Sequence, residues 1–349
     1  MTQITTLIPA YKKEYLAELF LALHRQSFKD FKVILSDDSP GGVITDMIRA
    51  GHFGRLTSEL NLLVVKGPQN ARRNHEHLLD LWGGQTPLVH FQLDDDLIFP
   101  DFYQHHVEAH LAAPCCATVS QRWLSHADGV PAWSLPLPDL IKDCPGHVVQ
   151  LSPEELFAST VGTCDNWLGE FTNMVLSAEG AMMYPRPPVA DISYYGLLDI
   201  GFLLTAGQQL PVTFIREPLS VFRQNDRQTT HGTHTHGGRV GFLAWVAYAL
   251  AGWRDGLLPP EQAVRAIGIA TQRVAHHFSE DPIVAEYFHI LDTQAQSLDS
   301  LYAAFKGFWL RLLASNPGTA AVPNLAIRAA EAPGMDATTS PAALEAADA

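Results

Sequence analysis

The chain has 349 residues, of which 47% are apolar and 17% charged, with a formal net charge of −14. That composition supplies a large core and excludes global disorder, and the length allows one large α/β domain or two modest ones. An acidic balance with no run of Lys or Arg argues against a nucleic-acid surface and against docking on anionic lipid through a basic patch.

Met1 to Ala10 has no basic n-region and its apolar run breaks at Pro9, so no signal peptide is read and a cytoplasmic location is expected. The most hydrophobic later stretch, Val240 to Trp253, falls short of the roughly 20 residues that cross a bilayer. No transmembrane segment is therefore expected, which leaves peripheral membrane association open. Cys115, Cys116, Cys144 and Cys164 form no CxxC spacing, so they read as free thiols and not as a zinc site or disulfide framework.

The first hundred residues alternate between short apolar runs and helical periodicity, as a βαβ series does. Ile4 to Ile8 reads as a strand ending at Pro9. Glu14 to Arg25 reads as a helix, with Tyr15, Leu16, Leu19, Phe20 and Leu23 at helical spacing. A strand follows over Phe31 to Leu35, then a helix over Val43 to Ala50, a strand over Leu62 to Val65 and a helix over Asn74 to Trp82. Leu88 to Leu93 is the fourth strand. In open parallel sheets ligands sit beyond the carboxyl ends of the strands. Pro9-Ala10-Tyr11, Asp37-Asp38 and Asp94-Asp95-Asp96 all fall at such ends.

From Pro114 to Pro188 the pattern is mixed, with a short helix expected near Ser152 to Ser159. Residues 240–313 read as helical, with Ala263, Ile267, Ala270 and Val274 on one face. Beyond Ala314 the chain is rich in Ala, Pro, Thr and Gly, and reads as a disordered tail.

Three consecutive carboxylates at a strand end repel one another and resist burial. A divalent cation with hard oxygen ligands, Mg²⁺ or Mn²⁺, relieves that repulsion and commonly bridges to phosphates. An exposed acidic turn, or carboxylates placed before the helix starting near Phe102, would also accommodate them.

These strand-end features occur in the order found in the nucleotide-sugar-dependent glycosyltransferases of family 2. Thr6 to Tyr11 resembles the family's opening strand and turn. Phe28 to Ser39 resembles its second-strand signature, and Asn70-Ala71-Arg72-Arg73-Asn74 is similar to the segment opening the helix before the metal strand. Asp94-Asp95-Asp96 with Pro100 resembles the DXD segment. Asn166 to Glu170 resembles the acceptor-side segment, Leu198 to Leu204 stands at the acidic motif, and Leu219 to Arg223 resembles the closing strand. The resemblance covers roughly residues 3–235. Three departures stand out: Ser39-Pro40 where a Gly is frequent, Leu198 where a Glu usually precedes the Asp, and an altered stretch after Arg223.

The resemblance implies an α/β GT-A fold over 1–238, a helical C-terminal extension over 239–313, and a tail over 314–349. It implies a metal-dependent, inverting transfer of a sugar from a nucleotide-diphosphate donor to a hydroxyl of a saccharide, a lipid-linked saccharide or a protein. Pro9, Ala10 and Tyr11 would frame the base and Asp38 would accept its N–H, while Arg73 would offer a guanidinium fork to phosphate. Asp96 would bind Mn²⁺ or Mg²⁺ directly, Asp94 would touch the ribose or the cation's water, and Asp95 would stand between them. Asp199 would be the general base. The histidines of 231–236 read first as a flexible lid without a fixed metal contact; if one of them completes the cation's shell as that lid closes, the candidate is His231. Glu170 is either an acceptor-hydroxyl ligand or a surface carboxylate. The helical extension would pack on the catalytic domain or mediate self-association. A non-catalytic nucleotide- or sugar-binding module and a sugar nucleotidyltransferase are the alternatives; the second would want a glycine-rich phosphate loop, which Lys12-Lys13 does not accompany.

Overall fold

The structure is a computed structural model and describes residues 2–184, 191–224 and 235–315. Strands and helices alternate through the first third: β1 (Ile4–Ala10), α1 (Leu16–His24), β2 (Phe31–Asp37), α2 (Val43–Arg49), α3 (Arg55–Ser58), β3 (Leu62–Lys66), α4 (Ala71–Trp82) and β4 (Leu88–Phe91). The expected strands and helices are present, most of them one to three residues longer or shorter than read. The start of α4 is set by Asn70, whose side chain accepts from the Arg73 N–H at 3.0 Å and so satisfies one of the helix's open donors.

The middle third is β5 (Leu97–Ile98), α5 (Phe102–Ala112), β6 (Ala117–Ser125), β7 (Pro131–Trp133), α6 (Asp139–Lys142), β8 (Val148–Leu151), α7 (Pro153–Thr160), β9 (Met174–Ser177) and α8 (Ala178–Met182). The short helix expected near Ser152 is α7, held by a reciprocal capping box between Ser152 and Glu155. The remainder is α9 (Leu198–Ala206), β10 (Val212–Arg223), α10 (His236–Arg254), α11 (Pro260–Phe278), α12 (Pro282–Gln294) and α13 (Leu298–Ala314). The tail expected beyond Ala314 lies outside the described residues from 316 onward.

The strands form one sheet in the order β3-β2-β1-β4-β9-β6-β10-β5, with β7 on β6 and β8 on β10. From β3 to β4 all pairings are parallel; β9 then runs antiparallel to both β4 and β6. The chain leaves β4 in the middle of the sheet and reappears as β5, paired antiparallel with the end of β10. The three aspartates make that crossing.

Both faces of the early strands are covered, so they read as continuous apolar runs. Ile4, Ile8, Val33 and Leu35 face α1 and α5; Leu7 and Ile34 face the opposite cluster, which continues into the C-terminal helices. Helix α10 is apolar nearly all round, and Leu243, Ala244, Val246, Ala247, Tyr248 and Leu250 are fully buried. The face expected on α11 is likewise buried at Ala263, Ile267, Ala270 and Val274. No helix among the described residues is long and apolar enough to cross a membrane. The four cysteines are free thiols, with Cys115, Cys116 and Cys164 buried.

A layer of buried histidines lies between α5 and the sheet. His106 packs against Phe102 with the rings tilted and 4.2 Å between centroids. Its Nδ1 is 2.6 Å from the Thr118 hydroxyl, which also reaches the Val175 carbonyl at 3.3 Å, and its Nε2 has no partner among the described residues. Burial, then the nearby His90, His110 and His105, push His106 well below its ordinary value. Burial likewise pushes His90 down to about 3. The unfolded chain takes up protons that these side chains refuse when folded, so their stabilisation is complete above about pH 6.5 and is lost as pH falls below it. His106→Leu removes one such proton uptake and the unsatisfied nitrogen. The expected outcome is a shallower loss of unfolding free energy below pH 6.5, by about 1.4 kcal/mol per pH unit, read from denaturant titrations across pH 4.5–7.5.

Candidate functional site

Because β2, β1 and β4 are parallel neighbours, their carboxyl ends open on one edge. Ala10 lies opposite Asp37 in register, the Asp38 N–H donates to the Ala10 carbonyl at 2.8 Å, and the Gln92 N–H donates to the Leu7 carbonyl at 2.9 Å. A cavity of about 620 Å³ opens there. Of the residues expected at the site, Pro9, Tyr11, Asp38, Asp94 and Asp95 line it. Ala10 is fully buried beneath the edge. Tyr11 is 59% exposed and presents an open aromatic face.

The two carboxylates after β2 divide their work. Asp37 accepts from the Ser39 N–H (3.0 Å) and hydroxyl (2.5 Å) and from the Thr45 N–H (2.7 Å) and hydroxyl (2.6 Å). Burial alone would push Asp37 up, but these hydrogen bonds outweigh it and hold the carboxyl below its ordinary value. Asp37 is thus the turn-forming residue, and Gly41 and Gly42 complete the turn at φ 72° and 74°, a region that favours glycine. Asp38 is left to the cavity, where it also accepts from the Gln69 N–H.

The acidic turn is held by three separate elements. One oxygen of Asp94 accepts from both the Tyr11 and Lys12 N–H groups at 2.6 Å. The Lys12 ammonium pairs with Asp95. Asp96 accepts from the Arg223 N–H at 3.0 Å and from the Thr172 hydroxyl at 2.9 Å. Burial, with the Asp95 charge, pushes Asp94 up to about 6 and Asp96 up to about 8. These carboxyls therefore carry negative charge reluctantly, which is the condition a cation relieves. Among the described residues no group of three His, Cys, Asp or Glu side chains surrounds one point. The residues fit a Mg²⁺- or Mn²⁺-type ion that takes one or two carboxylates and fills its remaining positions from phosphate and water.

Behind the turn lies a second carboxyl pair. Asp199, in the first turn of α9, accepts from its neighbour's N–H (Ile200, 2.8 Å) and from the Asn166 amide (3.1 Å). The Glu170 carboxyl is within hydrogen-bonding reach of Asp199 and near Asp96. Glu170 is 22% exposed, and Arg122, itself only 5% exposed, approaches it at 3.5 Å. Burial, then the Asp199 charge, push Glu170 well above its ordinary value. Glu170 therefore sits beside Asp199 and Arg122 and is not a free surface carboxylate.

On α4 the cavity wall is Ala71, Asn74 and His75, and Arg73 does not line it. Arg72 lies over the Tyr195 ring at 4.0 Å. His231 lies outside the described residues, while Thr235 and His236 begin α10. Sequence reading missed Lys12 as a site residue and Asn74, whose buried carbonyl oxygen has no partner among the described residues. The Asn70-to-Asn74 spacing, one helical turn after a cap, was the available signal.

No protein family and no curated protein matches the chain by sequence. Solved structures do match in shape. S. aureus TarS (residues 1–349, in complex with UDP-GlcNAc) aligns at a TM-score of 0.57 and 13% identity, covering 89% of this chain and 90% of that one. A longer S. aureus TarS structure aligns at 0.54 and 13% identity over 89% of this chain, which spans only 54% of it. The mannosyltransferase PcManGT from Pyrobaculum calidifontis, in complex with GDP-Man and Mn²⁺, aligns at 0.47 and 14% identity, covering 89% and 85%. The chain has the GT-A fold.

Proposed function

We propose that the chain is a glycosyltransferase using a nucleoside-diphosphate sugar. The observation that carries this reading is the joining of two carboxyl groupings at one sheet edge: Asp94 and Asp95 on the cavity, and Asp199 with Glu170 beside Asp96. A nucleotide base would lie against Tyr11, framed by Pro9, with its N–H on Asp38. The diphosphate would reach the acidic turn, where Asp94 and Asp96 are the candidate ligands of Mn²⁺ or Mg²⁺. When bound, the cation supplies charge neutralisation for the departing diphosphate.

Asp199 takes the proton of the acceptor hydroxyl as its oxygen attacks the anomeric carbon. The bond from that carbon to the diphosphate breaks, and the electron pair leaves with the diphosphate. Attack from the side opposite the leaving group inverts the anomeric centre. Leu198 leaves the acidic motif one carboxylate short, and Glu170, within hydrogen-bonding reach of Asp199, orients it. The acceptor is a hydroxyl of a glycan, a lipid-linked saccharide or a protein. Residues 1–238 form the catalytic domain in this reading, and the helices of 239–313 support it. Leu198 favours one competing reading, a binding module of the same fold without turnover.

Two variants test the assignment. Asp199→Asn is expected to lower kcat by about a hundred- to ten-thousandfold with nucleotide affinity unchanged. Intact nucleotide affinity with no turnover by the unmodified chain on any acceptor class would support the binding module instead. Gly67 packs so closely that a Cβ there would lie 2.5 Å from Asp38 Oδ1. Gly67→Ala is therefore expected to displace Asp38 and weaken nucleotide binding about tenfold or more. Unchanged affinity in calorimetry would remove Asp38 from the base site.

A further inference from the structure

Lys12 follows directly on β1, and its backbone N–H already serves Asp94. Its ammonium pairs with Asp95, and both residues line the cavity. Among the described residues lining that cavity, Lys12 is the one basic side chain charged at neutral pH, since burial pushes His75 down to about 4. The Lys12 side chain is 30% exposed, so it keeps solvent on one side, and its flexible four-carbon stem lets the charge relocate.

We infer that Lys12 is a built-in counter-cation of the acidic turn, which neutralises Asp95 until the donor enters and then passes to the diphosphate, so that divalent cation and nucleotide bind cooperatively through this side chain. This rests on the reading of the cavity as a donor site. The physics is competition between like charges. A divalent ion held by Asp94 and Asp96 must share the acidic turn with the ammonium on Asp95, and the repulsion between the two cations weakens cation binding on its own. A diphosphate brings new negative oxygens that receive the ammonium and free Asp95. Whatever the nucleotide does for the cation, the cation does equally for the nucleotide. A fixed structural ion pair would show no such dependence.

The test measures Mn²⁺ affinity from the free-ion electron paramagnetic resonance signal, with Mn²⁺ alone and with UDP or GDP added. It compares the unmodified chain with Lys12→Met and Lys12→Arg. Lys12→Met is expected to bind Mn²⁺ alone about five- to tenfold more tightly and to lose most of the tightening that the nucleotide produces in the unmodified chain. Lys12→Arg, which keeps the charge, should restore both behaviours in part. Equal Mn²⁺ affinity in Lys12→Met and the unmodified chain, with nucleotide still bound, overturns the role of Lys12 alone. Binding of neither nucleotide to any of the three proteins overturns the donor reading, and the coupling with it. Equal unfolding temperatures for the three proteins confirm that the comparison is between folded chains.

Discussion

Mutual repulsion of three consecutive carboxylates is the constraint around which the site is built. Asp94, Asp95 and Asp96 occupy the turn by which the chain leaves β4 and crosses to β5. Asp94 and Asp95 are anchored by the segment that follows β1, and Asp96 by a distant strand. Asp94 takes two N–H donors from the end of β1, Asp95 takes the Lys12 ammonium, and Asp96 takes the Arg223 N–H at the end of β10. The acidic turn thus ties the end of β1 to the end of β10, strands that β4, β9 and β6 separate in the sheet. Arg223 extends the tie, because it is almost fully buried and donates to the Asp95 carbonyl (2.8 Å), the Ala127 carbonyl (2.7 Å) and Glu18 (2.5 Å). A guanidinium buried this deeply requires such partners, since an unpaired one would cost several kcal/mol.

The C-terminal helices reach the same place by another route. The Tyr248 hydroxyl of α10 accepts from the Leu197 N–H at 2.8 Å and donates to the Leu197 carbonyl at 3.0 Å. Leu197 immediately precedes α9, so a buried tyrosine in the helical segment fixes the start of the helix that carries Asp199. Asn166 holds the other oxygen of Asp199 while bridging Gly169 on both its N–H and its carbonyl. Position at the carboxyl pair is therefore set by packing far along the chain, through two hydrogen-bonded contacts.

Much of this was written locally. The strands β1 to β4 announce themselves as apolar runs because both faces are covered, and α4 by its Asn70 cap. Other parts have no local signature. β9 is four residues long and sits mid-sheet only because β4 and β6 flank it. β10 was legible only over Leu219 to Arg223, since its first half earns its place by pairing with β6 and β8. Neither the proximity of Glu170 to Asp199 nor the fact that Asp94 and Asp95 face the cavity, while Asp96 faces Thr172 and Arg223, can be read from neighbouring residues. Both follow from contacts between segments tens of residues apart, and a turn of three identical side chains carries no periodicity to separate them.

The central claim is that the sheet edge binds a nucleoside diphosphate with a divalent cation. Calorimetric titration of the protein with UDP, GDP and dTDP, with and without Mn²⁺, and with Asp96→Ala in parallel, tests it most directly. The account predicts that one nucleotide binds selectively, that binding strengthens with Mn²⁺, and that the dependence on Mn²⁺ disappears in Asp96→Ala. Binding of no nucleotide under either condition would contradict it and leave the strand-end carboxylates with a purely structural role.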